Sequence, residues 1–335
     1  VIKLGLLGAG RIGMTHARAI QKIAQAQISA VFEPLDQAAA AAVALTGARR
    51  TTMEEITSSA EISGVIIATP TDLHAEQIKT MARAGKTIFC EKPIALNTHR
   101  IRECLQVVEQ SGVRLMVGFN RRFDPDFARL KAEIECGGIG SVELIQITSR
   151  DPAAPPLEYI HHSGGLFRDM MIHDFDMACF LLDEEVSAVC ATGSALTDPA
   201  IAEVGDIDTA TATLRTATGK IVVITNSRRA SYGYDQRIEV HGSLGMLQVD
   251  NHHVNNVTHA SAAGFTCDPL QNFFMQRYAE AYHRELEAFV DLVAGISGNI
   301  PSGIDGLRAM ELADAAFESM HTGQFMTPGQ EPVRE

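Results

Sequence analysis

Asp169, His173 and Asp176 fall at i, i+4 and i+7 within GGLFRDMMIHDFDMACFLL, an otherwise apolar stretch from Gly164 to Leu182. If that stretch is one helix, the three polar side chains share a face. A polar stripe on a buried helix is costly unless it is paired or faces a polar cavity. The spacing lets Asp169 accept from one imidazole nitrogen and fix the tautomer, while the other nitrogen addresses a substrate hydroxyl. A base that removes a hydroxyl proton as hydride leaves the carbon is what an alcohol dehydrogenase without zinc requires. A core histidine satisfied by its own turn is the plainer alternative. The companion acid and a cofactor motif elsewhere in the chain weigh against it.

That motif lies at the start, VIKLGLLGAGRIG. An apolar run from Ile2 to Leu7 is broken by Gly8, Gly10 and Gly13, with Arg11 and Ile12 inside the same turn, and a helix-favouring segment from Met14 to Ala26 follows. In a strand–turn–helix, Gly8 permits the tight turn, Gly10 lets backbone approach a pyrophosphate and Gly13 lets the helix pack on the strand. The helix N-terminus offers N–H groups to the anion. Glu33 ends a second apolar strand, Ile28 to Phe32, twenty positions after Gly13. A carboxylate there accepts the adenosine ribose hydroxyls and repels a 2′-phosphate, and Pro34 and Leu35 follow it instead of an arginine. The expected cofactor is NAD rather than NADP. A solvated acid at a strand end is the bland alternative for Glu33.

These residues need elements to hold them. The first half alternates strand and helix, which implies a doubly wound, mostly parallel sheet. Strands are expected at Glu61 to Ala68, Lys86 to Cys90 and Arg114 to Gly118, with helices at Asp36 to Leu45, capped by Asp36, Leu73 to Ala84 and Thr98 to Gln110. Ligands of such sheets sit at the carboxyl ends of the strands. Those ends carry Thr69, Pro70 and His74, then Glu91-Lys92-Pro93, then Phe119-Asn120-Arg121-Arg122. Lys92, followed by a proline, would project its ammonium toward the nicotinamide; a solvated surface lysine is the alternative.

Beyond Asn120 a helix from about Asp126 to Cys136 and strands at Ser141 to Arg150, Val186 to Leu196, Ile207 to Thr216, Lys220 to Arg229, Asp235 to His241 and Gly245 to Val249 imply a largely antiparallel open sheet. Helices at Gln271 to Ala294 and Gly303 to His321 close the chain. The expected class is therefore α/β, with an N-terminal Rossmann domain over residues 1–120 and a C-terminal α+β domain over residues 121–335.

Composition narrows the field. Over 335 residues, 46% hydrophobic and 21% charged, the formal net charge is −13, which leaves no basic surplus for nucleic acid. No apolar run approaches the length of a membrane span. The start of the chain lacks a signal-peptide layout, and Cys90, Cys104, Cys136, Cys179, Cys190 and Cys267 are scattered without C-x-x-C. Reduced, buried thiols in the cytoplasm are expected. His161 with His162 and His252 with His253 show no zinc spacing, so no metal is expected.

GLLGAGRIG, ATPTDLH, EKP and GGLFRDMMIHDFD occur in the order found in the Gfo/Idh/MocA oxidoreductases, and the resemblance covers essentially the whole chain. SRDPAAPPLEYIHHSGG and GFNRRFDPDF resemble the inositol dehydrogenase branch. The resemblance implies NAD-dependent oxidation of a secondary hydroxyl of myo-inositol to the 2-keto inosose. Lys92 would bridge nicotinamide ribose and substrate, and His173 would be the acid–base with Asp169 as its orienting partner. Thr69, Pro70, His74 and Glu91 would line the dinucleotide. Arg122, Asp151 and a tyrosine of Tyr232-Gly233-Tyr234 would face the polyol; in an extended strand both tyrosines point to one side. Relatives assemble through the outer face of the second sheet, which implies a homo-dimer or homotetramer. The family more often has Asp where Glu33 stands, and Arg168, beside Asp169, could alter substrate choice if it reaches the site. A related substrate (scyllo-inositol, another isomer or an aldose) fits nearly as well, and a non-catalytic dinucleotide sensor shares the fold.

Overall fold

Short, continuous apolar runs suit strands buried on both faces. In a computed structural model describing residues 1–330, those of the first half are β1 (Ile2–Leu7), β2 (Ala26–Phe32), β3 (Arg49–Arg50), β4 (Ile62–Ile67), β5 (Thr87–Glu91) and β6 (Leu115–Gly118). They form a wholly parallel sheet in the order β3-β2-β1-β4-β5-β6. The order reverses between β1 and β4, where such a sheet opens a crevice beyond its carboxyl ends. Crossover helices are Arg11–Ile20, Asp36–Thr46, Thr71–Arg83 and Thr98–Ser111.

Leu4, Leu6, Ile66 and Phe89 are fully buried and share one core with Leu286, Phe289 and Val290 of the helix Ala279–Val293. Phe89 and Phe289 meet edge-on with centroids 5.6 Å apart. The first compact unit is accordingly Val1–Phe123 with Glu280–Met310, and the second is Asp124–Ala279 with residues 311–330. A single division after residue 120 does not describe this packing, because the chain leaves the first unit and returns. An amphipathic helix shows in sequence that it covers a sheet, but not which sheet.

The second unit is built on β7 (Val142–Arg150), β8 (Val186–Ser194), β9 (Thr209–Thr216), β10 (Ile221–Ser227), β11 (Asp235–Gly242) and β12 (Gly245–Val249), ordered β12-β11-β7-β10-β9-β8. All neighbours are antiparallel except β7 with β10. The largely antiparallel sheet is as expected. Along β7, Ile145, Ile147 and Ser149 are buried while Gln146 is exposed, the alternation of a sheet covered on one face. The helix Ile172–Leu182 packs against β7. A separate hairpin, β13 (Thr258–Ser261) with β14 (Gly264–Cys267), is exposed along its whole length.

The elements depart from expectation in several places. Gly164 to Leu182 is not one helix: a turn Leu166–Asp169 ends, Met170 and Met171 intervene, and a second helix starts at Ile172. Gln271 to Ala294 likewise divides into Phe274–Arg277 and Ala279–Val293. Asp36 does not cap its helix; Leu35 holds that position, and Asp36 pairs with Arg50 at 2.7 Å. Cys136 and Cys267 are exposed, so only some of the thiols are buried. Burial pushes the Cys104 thiol up to about 12. Among the described residues, no helix is long and apolar enough to cross a membrane, and no group of three or more His, Cys, Asp or Glu is placed to hold a metal ion.

Candidate active site

The glycine loop after β1 fits a pyrophosphate by exclusion. Gly8 has φ +87°, and a Cβ there would lie 2.6 Å from Ala68 O; one on Gly13 would lie 2.1 Å from Gly8 O. Both glycines are needed for the fold itself. A Cβ on Gly10 would meet nothing within 4 Å, so that position opens onto free space. The helix Arg11–Ile20 has Gly10 as N-cap, no side-chain cap and no acid in its first turn, which leaves its end positive toward an anion. Arg11 is exposed and Ile12 half-buried beside that opening.

Glu33, directly after β2, is tied to the same loop. Its carboxylate accepts from Ala9 N–H at 2.8 Å and from Leu35 N–H at 2.9 Å, and each oxygen retains a lone pair for a ribose hydroxyl. An arginine from further along the chain does stand beside it. Arg50, delivered by β3, donates to Glu33 O at 3.1 Å, Pro34 O at 3.0 Å and Asp36 Oδ1 at 2.7 Å. Its guanidinium is engaged by the backbone and by Asp36, and no local pattern marks a two-residue strand.

At the ends of β4 and β5, Thr69 Oγ1 donates to Gln77 Oε1 at 2.6 Å, and Pro70 is the N-cap of the helix Thr71–Arg83. His74 is 1% exposed, with Nδ1 2.8 Å from Pro93 O and Nε2 2.8 Å from Thr69 O. It joins the two turns from inside instead of presenting an edge to a ligand. Burial lowers its pKa below the ordinary histidine value, against those two hydrogen bonds. Glu91 is held from the glycine-loop helix: His16, fully buried, places Nε2 2.7 Å from Glu91 Oε1. The His16 ring meets Phe89 and Tyr282 edge-on. Glu91 Oε2 accepts from Lys92 N–H at 3.2 Å. Half-buried Lys92 follows, before a cis bond to Pro93. Past β6, Arg122 Nη2 donates to Asp305 Oδ1 at 3.0 Å, and Ser302 N–H donates to Asp305 Oδ2 at 2.7 Å. Burial would raise the Asp305 carboxyl, but Arg122 and Ser302 together hold it below the usual range.

In the second unit, half-buried His173 occupies the first turn of the helix Ile172–Leu182. The next residue anchors that turn. Asp174, fully buried, accepts from Ser149 Oγ at 2.5 Å and from Asn226 Nδ2 at 2.7 Å, and these two are direct partners across β7 and β10. Asp176 is buried at 2% exposure. With the helix broken before Ile172, the i, i+4 relation no longer sets Asp169, whose surroundings do: Tyr159 Oη donates to Oδ1 at 2.8 Å, and Arg228 Nη2 lies 3.7 Å from Oδ2. Asp151 N–H donates to Ser227 O at 2.9 Å, so Asp151, Asp169 and Arg228 gather at the carboxyl ends of the parallel pair β7 and β10.

The two tyrosines separate. Residues 231–234 form a turn with Gly233 at φ +121°, not a strand. Tyr232 is half exposed, its hydroxyl accepting from Arg150 at 2.7 Å and donating to Asp235 at 2.7 Å. Tyr234 is buried and meets Tyr278 edge-on. Arg168 donates from Nε to Asp314 at 2.7 Å and lies over the Phe317 ring, which gives it a structural partner. Local spacing in the sequence does not mark His16, Asp174, Tyr159 or Arg228. Each acts through a partner many positions away, and no spacing rule reports such contacts.

A parallel sheet with a glycine loop at its switch point, an acid after its second strand, and a separate α+β unit carrying an imidazole and a fixed carboxylate define a dinucleotide-dependent oxidoreductase. Residues 2–119 match the oxidoreductase family with the NAD-binding Rossmann fold, and residues 127–248 match the GFO/IDH/MocA C-terminal domain. The chain belongs to the Gfo/Idh/MocA oxidoreductase family. It is 51% identical over 319 residues to the inositol 2-dehydrogenase of Rhizobium meliloti (strain 1021), covering 95% of this chain and 97% of that one. The crystal structure of a myo-inositol dehydrogenase from Corynebacterium glutamicum superposes with a TM-score of 0.93 at 39% identity, covering 99% of this chain and 100% of that one. The scyllo-inositol dehydrogenase of Lactobacillus casei, crystallised with NAD(H) and scyllo-inositol, gives 0.90 at 30% identity, covering 98% and 99%.

Proposed function

We propose that this chain oxidises the secondary hydroxyl of myo-inositol to the 2-keto inosose, with NAD as acceptor. The observation that carries the reading is the 51% identity, over nearly the full length of both chains, to an inositol 2-dehydrogenase. NAD, when bound, supplies the hydride acceptor. The loop at Gly8, Gly10, Arg11, Ile12 and Gly13 holds the pyrophosphate and Glu33 the adenosine ribose. Thr69 and Pro70 line the dinucleotide, with His74 and Glu91 keeping their turns in place. Lys92 contacts the nicotinamide ribose and the substrate. His173 takes the hydroxyl proton, with Asp169 as its orienting carboxylate; acid–base help of this kind contributes roughly 10² to 10⁴ in rate. Asp151, Arg122 and Tyr232 are assigned to polyol hydroxyls, and Tyr234, being buried, is not.

A second polyol reading rests on the likeness to the enzyme crystallised with scyllo-inositol. Initial rates of NADH formation separate the two: kcat/KM is expected to be highest for myo-inositol, lower for scyllo-inositol and lowest for glucose. Glucose exceeding every inositol would remove the assignment. A sensor without turnover is disfavoured by the joint presence of Lys92, Asp169 and His173, and His173→Ala should abolish turnover while NAD affinity stays nearly unchanged.

The working form is a homo-oligomer, dimer or tetramer. A lone two-stranded hairpin is marginal in water, and β13 with β14 is fully exposed, Phe265 at its tip 82% so; a second copy would cover it. A monomeric mass by light scattering would contradict this. Six cysteines that form no disulfide suit a reducing cytoplasm.

A further inference from the structure

Asp169 closes a helical turn only four residues long, Leu166–Asp169. The last residue of so short an element is poorly placed to hold a carboxylate in one orientation, and the neighbouring helix no longer continues through it. We propose that Tyr159 and Arg228 are the positioning residues that aim Asp169. The proposal rests on the reading of His173 and Asp169 given above.

The contacts around the turn support it. The Tyr159 hydroxyl donates directly to Asp169 Oδ1 at 2.8 Å. Arg228, 1% exposed, places Nη2 3.7 Å from Asp169 Oδ2 and 3.5 Å from Asp206 Oδ2. Asp206 in turn accepts from Leu166 N–H at 3.0 Å. One guanidinium therefore spans the turn, reaching its last residue directly and its first residue through Asp206. Gly165, at φ +85°, makes the approach possible: a Cβ there would lie 2.9 Å from Asp206 Oδ1. Arg228 is itself pinned where β10 ends, its N–H donating to Asp208 O at 2.8 Å. A guanidinium has a fixed planar fork, which a lysine ammonium lacks. The hydroxyl supplies a direct bond and the guanidinium a looser ion pair, so the carboxylate is fixed from two sides.

The test is a kinetic cycle on the full-length enzyme with myo-inositol and NAD. Tyr159→Phe removes one oxygen from a half-exposed ring, so the fold is expected to hold, with the melting midpoint as control. The expected result is a kcat lower by about tenfold, a part of the roughly 10² to 10⁴ that acid–base help contributes, with KM for NAD unchanged. Arg228→Lys should fall between the wild type and Arg228→Met. In an Asp169→Asn background Tyr159→Phe should cause no further loss, because both act through one carboxylate. An undiminished kcat in Tyr159→Phe, or full additivity with Asp169→Asn, overturns the proposal. His173→Ala is run alongside. If it retains wild-type turnover, the functional reading fails and takes this inference with it; if it is inactive while Tyr159→Phe is fully active, the inference fails alone.

Discussion

His16 sits three residues after the last loop glycine, where sequence suggests only helix, yet it is fully buried and its Nε2 lies 2.7 Å from Glu91 Oε1. Through it the helix Arg11–Ile20 holds the turn that carries Lys92. His16→Leu should lower kcat by about 10- to 100-fold, the scale of a small misplacement at a reacting centre, and His16→Gln, which keeps a donor, should recover part of it. Equal kcat in His16→Leu and the wild type would mean that Glu91 holds its turn unaided. The residues legible from sequence, Gly8, Gly10, Gly13, Glu33, Lys92 and His173, announce themselves by local spacing or by position at a strand end. Arg50, Arg228 and Tyr159 do not, because each reaches a partner on a different element. In a strand Tyr232 and Tyr234 would be equivalent; the positive φ at Gly233 divides them.

Among the elements, the strand–turn–helix at the start shows how one loop serves both fold and ligand. A methyl on Gly13 would overlap Gly8 O at 2.1 Å, whereas one on Gly10, at φ −68°, would enter open space. Gly13→Ala should therefore lose about 1–3 kcal/mol of stability by overpacking. Gly10→Ala should melt as the wild type does but bind NAD more weakly in a fluorescence titration. Wild-type affinity in a folded Gly10→Ala protein would exclude the pyrophosphate from that space. Both sheets were readable because continuous apolar runs and alternating ones imply different surroundings. The interrupted helix was not, since Asp174 is anchored on β7 and β10, and Leu166 on Asp206, by contacts that no helical periodicity contains. The exposed hairpin carries no buried face from which to read a strand.

At the scale of the whole molecule, acid stability follows from carboxylates in both units. Asp305 in the first and Asp208 and Asp235 in the second are each held below the usual carboxylate range, burial opposing and hydrogen bonds prevailing over it in all three, with Arg122 at Asp305 and Arg237 at Asp235. A depressed folded pKa contributes stability that is full above the unfolded value, about 3.9 for Asp, and is lost as pH falls through the folded value. Denaturant midpoints should thus drop as pH is lowered below about 4, and Asp305→Asn should flatten part of that slope in the first unit. An unchanged slope would mean that Arg122 and Ser302 give Asp305 no net advantage. The return of Glu280–Met310 to the first core is a property of this same scale, and a sequence divided at one boundary could not express it.

The reaction itself is tested most directly by isotope transfer. Myo-inositol carrying deuterium at C2 is oxidised with NAD, and the mass of the reduced cofactor is measured. The expected result is one deuterium delivered to the nicotinamide, with slower turnover than for the unlabelled polyol. NADH formed without the label, or no NADH at all while glucose or another polyol is oxidised, would contradict it.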